Sequence, residues 1–531
     1  MLFLAIALVS SPAEAASVLT YHNDNARTGQ NTNETILTLA NVNVNNFGLV
    51  ASHVVDDEIY AQPLVMSGVN VPGKGVHTLV FVATVNDSIY AFDADNPNLS
   101  TPYWQTNFLG PNVVPVRNTD MVGACGPSPG DYTDFLGNMG IEGTPVIDAN
   151  SGTLYVVVRT KEIGTNYVQR LHALDVGTGN ERPNSPVVIT GTFPGSGDGS
   201  VNGVHTFEPQ IHNQRPGLAL VNGVVYISWA SHCDWAAYHG WLIGYDATNL
   251  QRTAVYNVTP NGIAAGIWQG GGAPAADSSG NLYVATGNGT WNTNSPTNVS
   301  NDFGDSVLKL TTTNGLSVAD YFTPFNQAFL AANDLDLGSG GTIVLPEEAG
   351  SAAHPRLVLA GGKWAILYLL DRDNLGHFHP GDDSQVVQAV SGVTSAMFGL
   401  PAYFNRTLYY LPMLDRLKAF GISNAVITPY SISQSSTVFP FPGATPSISA
   451  NGTNNAIVWV LQNGAWAAHS PTILRAYNAT NLAEELYNSA QAGSRDQGPG
   501  AVKFSLPTIA NGKVFVGGQG ILSIYANASF I

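Results

Sequence analysis

The stretch IWQGGGAPAADSSGNLYVATGNGTWN, residues 267–292, decides how the rest of the chain is read. It holds a small-residue strand around Pro274, a turn over residues 277–280, and a strand over 281–286 in which aliphatic or aromatic residues alternate with others. Alternation with period two marks a half-buried strand, and Ser-Ser-Gly just before it is turn chemistry. One β-hairpin is the minimum reading.

The same form recurs along the chain. A strand ending in a short turn, a second strand of the type Leu-Tyr-Val, a polar gap, and a third strand ending in aromatic-Asp or a near variant occupy residues 79–94, 152–179, 222–249 and 280–310. Further copies occupy 356–374, 406–421, 455–481 and 512–526. A proline precedes most copies, at Pro63, Pro145, Pro274, Pro401, Pro446 and Pro507. Copies spaced by roughly 60 residues, each with strands for one small sheet, fit radial repetition. The fold class is therefore all-β, an eight-bladed β-propeller of four-stranded blades. Each blade leaves two apolar faces that only its neighbours can bury, so residues 16–531 read as one domain. The strand near 47–55 is expected to join the C-terminal copy and close the ring. Residues 16–46, polar and Asn-rich, are expected to form an extended arm lying over the fold.

Composition agrees. The 531 residues include 56 Gly and 31 Pro, only 11% are charged, and no long stretch places apolar residues at helical spacing. A formal charge of −17 with only 20 Lys and Arg excludes nucleic acid and anionic membrane surfaces as expected partners. Residues 2–9 form a short apolar run followed by Ala13-Glu14-Ala15, which predicts a signal peptide over 1–15 and a secreted or periplasmic protein. No other apolar run approaches the roughly 18 residues needed to span a bilayer, so a soluble monomer is expected. About ten N-x-S/T sequons occur, a number that an Asn-rich chain reaches by chance.

Unequal insertions separate the copies. Residues 108–139, 187–214 and 292–303 are long and rich in Gly, Pro or Asn, and such loops in a compact fold are expected to cover one mouth of the ring. Cys125 and Cys233 lie in or beside such loops, so a disulfide between them is expected, with two buried thiols as the alternative.

The repeat, with LYV leading to a strand that ends in Ala-Leu-Asp and the turn Thr178-Gly179, resembles the pyrroloquinoline quinone (PQQ) repeat. Over most of its length the chain looks like the propeller of quinoprotein alcohol dehydrogenases. The resemblance implies a calcium ion beside the quinone, held by a Glu, an Asn and a catalytic Asp, with a basic residue near the quinone oxygens. Thr286-Gly287-Asn288 matches the motif that carries the Asn. In the segment NDLDLGSGG, Asp334 fits the catalytic position better than Asp336, and Lys363 in GGKWAILYLLDR fits the basic one. Asp234 is the acid nearest the remaining metal position. Trp268 and Arg215 are the candidates for contacting the quinone. Two features depart from the family: its adjacent cysteines are absent, and Gly270, Gly271 and Gly272 stand where it places a Trp floor.

Other readings stay open beside this one. Asn288 and Asp334 are also residue types that cap turns. His232, Tyr238 and His239 share one loop, and a His and Tyr pair serves as base and acid in a polysaccharide lyase; packed, hydrogen-bonded side chains are the alternative. Lys363 either neutralises an anionic ligand or pairs with a carboxylate, and Glu142 is expected to line the funnel. The chain is thus expected to oxidise an alcohol or sugar by hydride transfer to PQQ with calcium, with a small molecule or carbohydrate in the central funnel. The alternatives are a non-catalytic propeller binding carbohydrate or protein, and the lyase.

Overall fold

The computed structural model describes residues 15–292 and 301–528. Residues 1–14 of the expected signal peptide and most of the Asn-rich insertion at 292–303 lie outside the described residues.

The opening hairpin forms as expected. Ala275–Ala276 pairs antiparallel with Leu282–Ala285. Between them the Asp277 carboxylate accepts the amides of Ser279 and Asn281, and Gly280 takes a left-handed φ of 82°. The expectation of half burial is what changes. All four residues of Leu282–Ala285 are fully buried. Leu282 and Val284 pack with Tyr226 and Leu242 of the preceding blade, while Tyr283 packs with Val358 and Tyr368 of the following one. Alternation here sorts residues between two neighbouring blades, not between core and water.

Eight sheets of this kind make the ring. The first blade is built from Leu64–Val71, Gly75–Thr84, Ser88–Asp93 and Trp104–Asn107. The fourth is built from Ala275–Ala276, Leu282–Ala285, Val307–Thr311 and Ser317–Thr323, and the fifth from Thr342–Val344, Leu357–Gly361, Leu367–Asp371 and Gln388–Val390. In the last blade Thr508–Ala510, Lys513–Gly518 and Ile521–Asn527 are completed by Phe47–Val54, which runs antiparallel to Ile521–Asn527. Closure by the expected strand leaves no blade with an unburied face, and an apolar cluster fills the seam between the eighth and first blades as it does the others.

The N-terminal arm does not lie over the fold; it runs into it. Along one end of the axis its backbone carbonyls accept amides from the innermost strands in turn: Leu19 from Ile147, Asn25 from Ala276, Ala26 from Val344, Thr28 from Tyr403 and Gly29 from Ile448. Gln30–Asn31 then pairs parallel with the seventh blade. Arg27 is fully buried and donates to the carbonyls of Pro274, Tyr21 and Asp24 and to Thr20 Oγ1. The arm's backbone thus satisfies edges of the inner strands, and its polar side chains, such as Arg27, are spent on buried carbonyls instead of water.

Candidate functional site

At the opposite end of the axis, the segments leading into the innermost strands converge on a cavity of about 160 Å³. Arg215 precedes Ala219–Val221, Trp268 and Gly270 precede Ala275–Ala276, and Asp334, Asp336 and Ser339 precede Thr342–Val344. Phe398, Phe441 and the pair Lys503-Phe504 hold the same place in the sixth, seventh and eighth blades. Turns between the second and third strands supply Cys233 and Asp234 in the third blade and Lys363 in the fifth. Loops on a rigid ring thus bring together residues far apart in sequence.

The backbone at Thr286-Gly287-Asn288 explains its own sequence. Thr286 Oγ1 donates to the Phe303 carbonyl at 2.6 Å and accepts the Ser306 amide at 2.9 Å, which pins the strand end. A Cβ at Gly287 would stand 2.5 Å from Asp336 Oδ1 and 3.0 Å from Trp268 Cδ1, so only glycine lets both side chains approach. The Asn288 amide then donates to Asp336 Oδ1 at 2.7 Å, and its side-chain Nδ2 donates to Asp334 Oδ1 at 2.8 Å. Asn288 Oδ1 is buried without a hydrogen-bond partner. Gly362 has the same role opposite: a Cβ there would meet the Asp336 carbonyl at 2.2 Å, and the Lys363 amide donates to that carbonyl.

Lys363 Nζ bridges the two carboxylates, 2.5 Å from Asp334 Oδ1 and 2.6 Å from Asp336 Oδ2. Burial depresses the Lys363 ammonium, but Asp336 and Asp334 outweigh it and hold it above its ordinary value. Burial raises the Asp336 carboxyl, against the pull of Lys363. Fully buried Asp305, which accepts the Leu337 amide, is pushed up to about 8 by burial and then by Asp336. Asp334 differs from both: its side chain is 67% exposed, and its Oδ2 accepts no hydrogen bond among the described residues.

Arg215 is the outlier of the wall. It is only 8% exposed, yet among the described residues it makes no hydrogen bond or ion pair and is flanked by Phe504 at 3.8 Å, Phe135 at 5.6 Å and Trp268 at 5.8 Å. Burial lowers its pKa, with Asp134 opposing. A desolvated cation whose neighbours are ring faces is poised for an anion. Lys503 sits beside it, paired with Asp134 at 2.6 Å and also near the faces of Trp466 and Phe504. Beneath Arg215 a void of about 20 Å³ is lined by Glu142 and Tyr21 of the arm. Glu142 is pushed up to about 7 by burial, against the pull of Arg159, its partner at 3.1 Å.

Of the sequence candidates, Asp234, Asn288, Asp334, Lys363, Trp268 and Arg215 gather here. Cys125 and Cys233 form a disulfide with Cα atoms 5.5 Å apart, and Cys233 lines the cavity. The His and Tyr group is placed otherwise. His239 spends both ring nitrogens on Thr259 Oγ1 and the Asp198 carbonyl, and burial lowers it to about 4. His232 is fully buried against Arg159 Nη2 at 3.0 Å, and burial holds it well below its ordinary value. Tyr238 donates to Asp234 Oδ1 at 2.6 Å, with burial raising its hydroxyl well above the usual range. None of the three lines the cavity.

No family profile matches the sequence, and no curated protein matches it. Solved structures do. The quinohemoprotein alcohol dehydrogenase from Comamonas testosteroni superposes with a TM-score of 0.61 at 14% identity, over 97% of this chain and 81% of that one. The fold is that of the quinoprotein alcohol dehydrogenases. A europium-containing methanol dehydrogenase shares this quinoprotein fold with a TM-score of 0.60 at 11% identity, over 96% of this chain and 98% of that one. A quinohemoprotein alcohol dehydrogenase from Pseudomonas putida HK5 superposes with a TM-score of 0.59 at 12% identity, over 96% and 80%.

Sequence reasoning missed Asp134, Phe398, Phe441, Lys503 and Phe504, and it ranked Asp336 second. The signal for four of them was positional: each of Phe398, Phe441, Lys503 and Phe504 stands a few residues before an innermost strand, as Arg215, Trp268 and Asp334 do.

Proposed function

We propose that the chain is an exported quinoprotein-dehydrogenase-like oxidoreductase that oxidises an alcohol or sugar hydroxyl in the axial cavity, using PQQ and a divalent cation such as calcium. The observation that carries the reading is the unpaired Arg215 guanidinium, buried among aromatic rings in the cavity that also holds Asp334, Asp336 and Lys363.

The residues present fit both groups. Arg215, Lys363 and Lys503, with the faces of Trp268, Phe398, Phe441 and Phe504, suit a planar polycarboxylate. Gly270 cannot carry a side chain, because a Cβ would stand 2.3 Å from the Phe398 carbonyl, so Phe398 and Trp268 supply the aromatic surface. For the cation, the buried, unpartnered Asn288 Oδ1 and the carboxylates of Asp234, Asp334 and Asp336 are hard oxygen donors of the type calcium takes. Among the described residues no three His, Cys, Asp or Glu side chains form a metal shell by themselves. Asn288 and the cofactor's own oxygens would have to complete it.

When bound, the quinone supplies a two-electron acceptor for hydride and the cation a Lewis acid. The chain's part is positioning and proton handling. Asp334 Oδ2 is free to accept the hydroxyl proton of an alcohol whose carbon-bound hydrogen leaves as hydride. Asn288 and Lys363 hold the other oxygen, which fixes how the carboxylate is aimed. Asp336, with both oxygens engaged, fixes Lys363 and the Asn288 backbone. The disulfide ties residue 125 to the cavity wall.

The cavity's size favours one second reading, a propeller that binds a small ligand without redox chemistry. About 160 Å³ lies below the ~300 Å³ at which sites for drug-sized ligands begin. One experiment separates the two: purified protein is titrated with PQQ and calcium and its absorbance followed. A saturable spectral change that is lost in Arg215→Leu supports the quinoprotein reading. No change at any ratio leaves the small-ligand reading.

A further inference from the structure

Next to the cavity residues Lys363 and Asp334 in the chain stands an aromatic step that the site above does not use. Trp364 follows Lys363 directly in the tight turn after Leu357–Gly361, and it is 42% exposed while Lys363 points inward to Asp334 and Asp336. Against Trp364 stands Phe329, 46% exposed, with ring centroids 5.2 Å apart and planes at 72°. Phe329 belongs to the short helix Gln327–Ala332, whose chain continues into Asp334 and Asp336. Phe325, one turn earlier, is exposed as well. Large exposed rings placed together are costly to leave in water without a use.

Both rings are fixed to the cavity by backbone. The Gly362–Ala365 turn is tied to the Asp334 loop through the Lys363 amide and the Asp336 carbonyl, and the helix leads into that loop through the Leu335 amide and the Leu330 carbonyl. Trp364 and Phe329 are therefore held at fixed positions next to the segments that carry Lys363 and the exposed Asp334. The polar groups beside this step are Asp334, 67% exposed and paired with Lys363, and Asp383, which accepts the Phe325 amide. Lys363, the cation next to Trp364, is already paired with Asp334 and Asp336, so the step favours a neutral partner over a charged one. An apolar ring face beside acceptor carboxylates suits a ligand that has C–H faces and hydroxyl edges at once.

The geometry points to Trp364 and Phe329 as a platform for a neutral glycan, one sugar unit stacking on the rings while the chain's terminal unit enters the cavity toward Asp334. The inference rests on the same cavity as the proposed oxidation and narrows its substrate class to the end of a neutral oligosaccharide. It does not depend on the quinone.

The test uses the full-length protein without PQQ. Binding of neutral hexasaccharides of glucose, xylose and mannose, and of the corresponding monosaccharides, is measured by isothermal titration and by quenching of tryptophan fluorescence. At least one hexasaccharide is expected to bind more tightly than its monosaccharide. Trp364→Ala and Phe329→Ala are each expected to weaken that hexasaccharide by about five- to ten-fold, the worth of one aromatic face. Monosaccharide binding should be unchanged, and Trp364→Phe should retain most of the affinity. Unaltered thermal unfolding of the variants confirms that an exposed ring was removed and not a core one. The inference is overturned if none of the hexasaccharides binds, or if one binds equally well to the parent and both alanine variants. A hexasaccharide that binds on the platform in protein unable to take up PQQ keeps the inference and removes the oxidation. Uptake of PQQ with no glycan bound does the reverse.

Discussion

Replacing Lys363 with methionine removes the one cation that Asp334 and Asp336 share while keeping the length of its apolar stem. Breaking a buried ion pair from one side costs about 3–5 kcal/mol, because the partner's charge is left uncompensated. The Asp334 side chain is 67% exposed, so water takes over most of its share. The Asp336 side chain is only 7% exposed, which places the expected loss at the low end, about 3 kcal/mol. Unfolding entropy of roughly 2.1 cal/mol/K per residue gives this chain on the order of 1.1 kcal/mol/K, so the melting temperature should fall by about 3 °C. The pH dependence carries the sharper test. Burial already holds the folded Asp336 carboxyl above its unfolded value, and Lys363 restrains the rise. A raised carboxyl contributes stability below its unfolded pKa and loses it as pH rises through the folded one. Without Lys363 the folded value climbs further, so the deficit of the variant should be largest above neutrality and shrink as acid protonates Asp336. Calorimetric unfolding of parent and variant in chelator, from about pH 5 to pH 9, measures this difference. A deficit of equal size across that range, or a variant as stable as the parent at the alkaline end, would refute the reasoning.

The disulfide closes a loop with a sequence separation of 108, and replacing Cys125 and Cys233 with alanine should cost up to about 4.8 kcal/mol through the unfolded chain, seen as a lower denaturant midpoint. Arg27→Met leaves the buried Pro274, Tyr21 and Asp24 carbonyls short of a donor; a loss above ~3 kcal/mol and faster proteolysis within the arm are expected. Burial lowers His212 to about 3, so its unfolded form takes up a proton first and stability falls by about 1.4 kcal/mol per unit as pH drops below 6.5. His212→Gln should flatten that part of the acid limb in the same calorimetric scans.

The blade count was legible because each copy repeats one local pattern, and because a ring needs every copy to bury its neighbours. Phe47–Val54 could be assigned to the last blade for the same reason: the first full hairpin begins after it and the last lacks a fourth strand. The arm was misread because polar composition signals solvent only where water is the partner, whereas His22 is fully buried between the carbonyls of Arg27 and Pro446. Asn288, Asp334 and Lys363 were legible from motifs next to strands. Phe398, Phe441 and Phe504 were not, since a phenylalanine before a strand looks like core until the ring's curvature turns it to the axis. That Asp336 is the buried carboxylate of the pair depends on the close approach that Gly287 and Gly362 allow it, and spacing alone does not contain that.

Because Phe47–Val54 and Ile521–Asn527 sit side by side in one sheet, the fold has a fixed order of completion during synthesis. Phe47–Val54 must wait, unpaired, until Ile521–Asn527 has been made, and the arm ahead of it must wait for the inner strands of blades not yet translated. A chain that still lacks Ile521–Asn527 is therefore an open arc with an apolar face at each end, and the contacts that close it, such as Phe47 with Asn527, are far apart in sequence. The emergence of Ile521–Asn527 is the event that converts an aggregation-prone arc into a sealed ring. Loss of as few residues as Ile521–Asn527 should leave the rest of the chain translated but never closed.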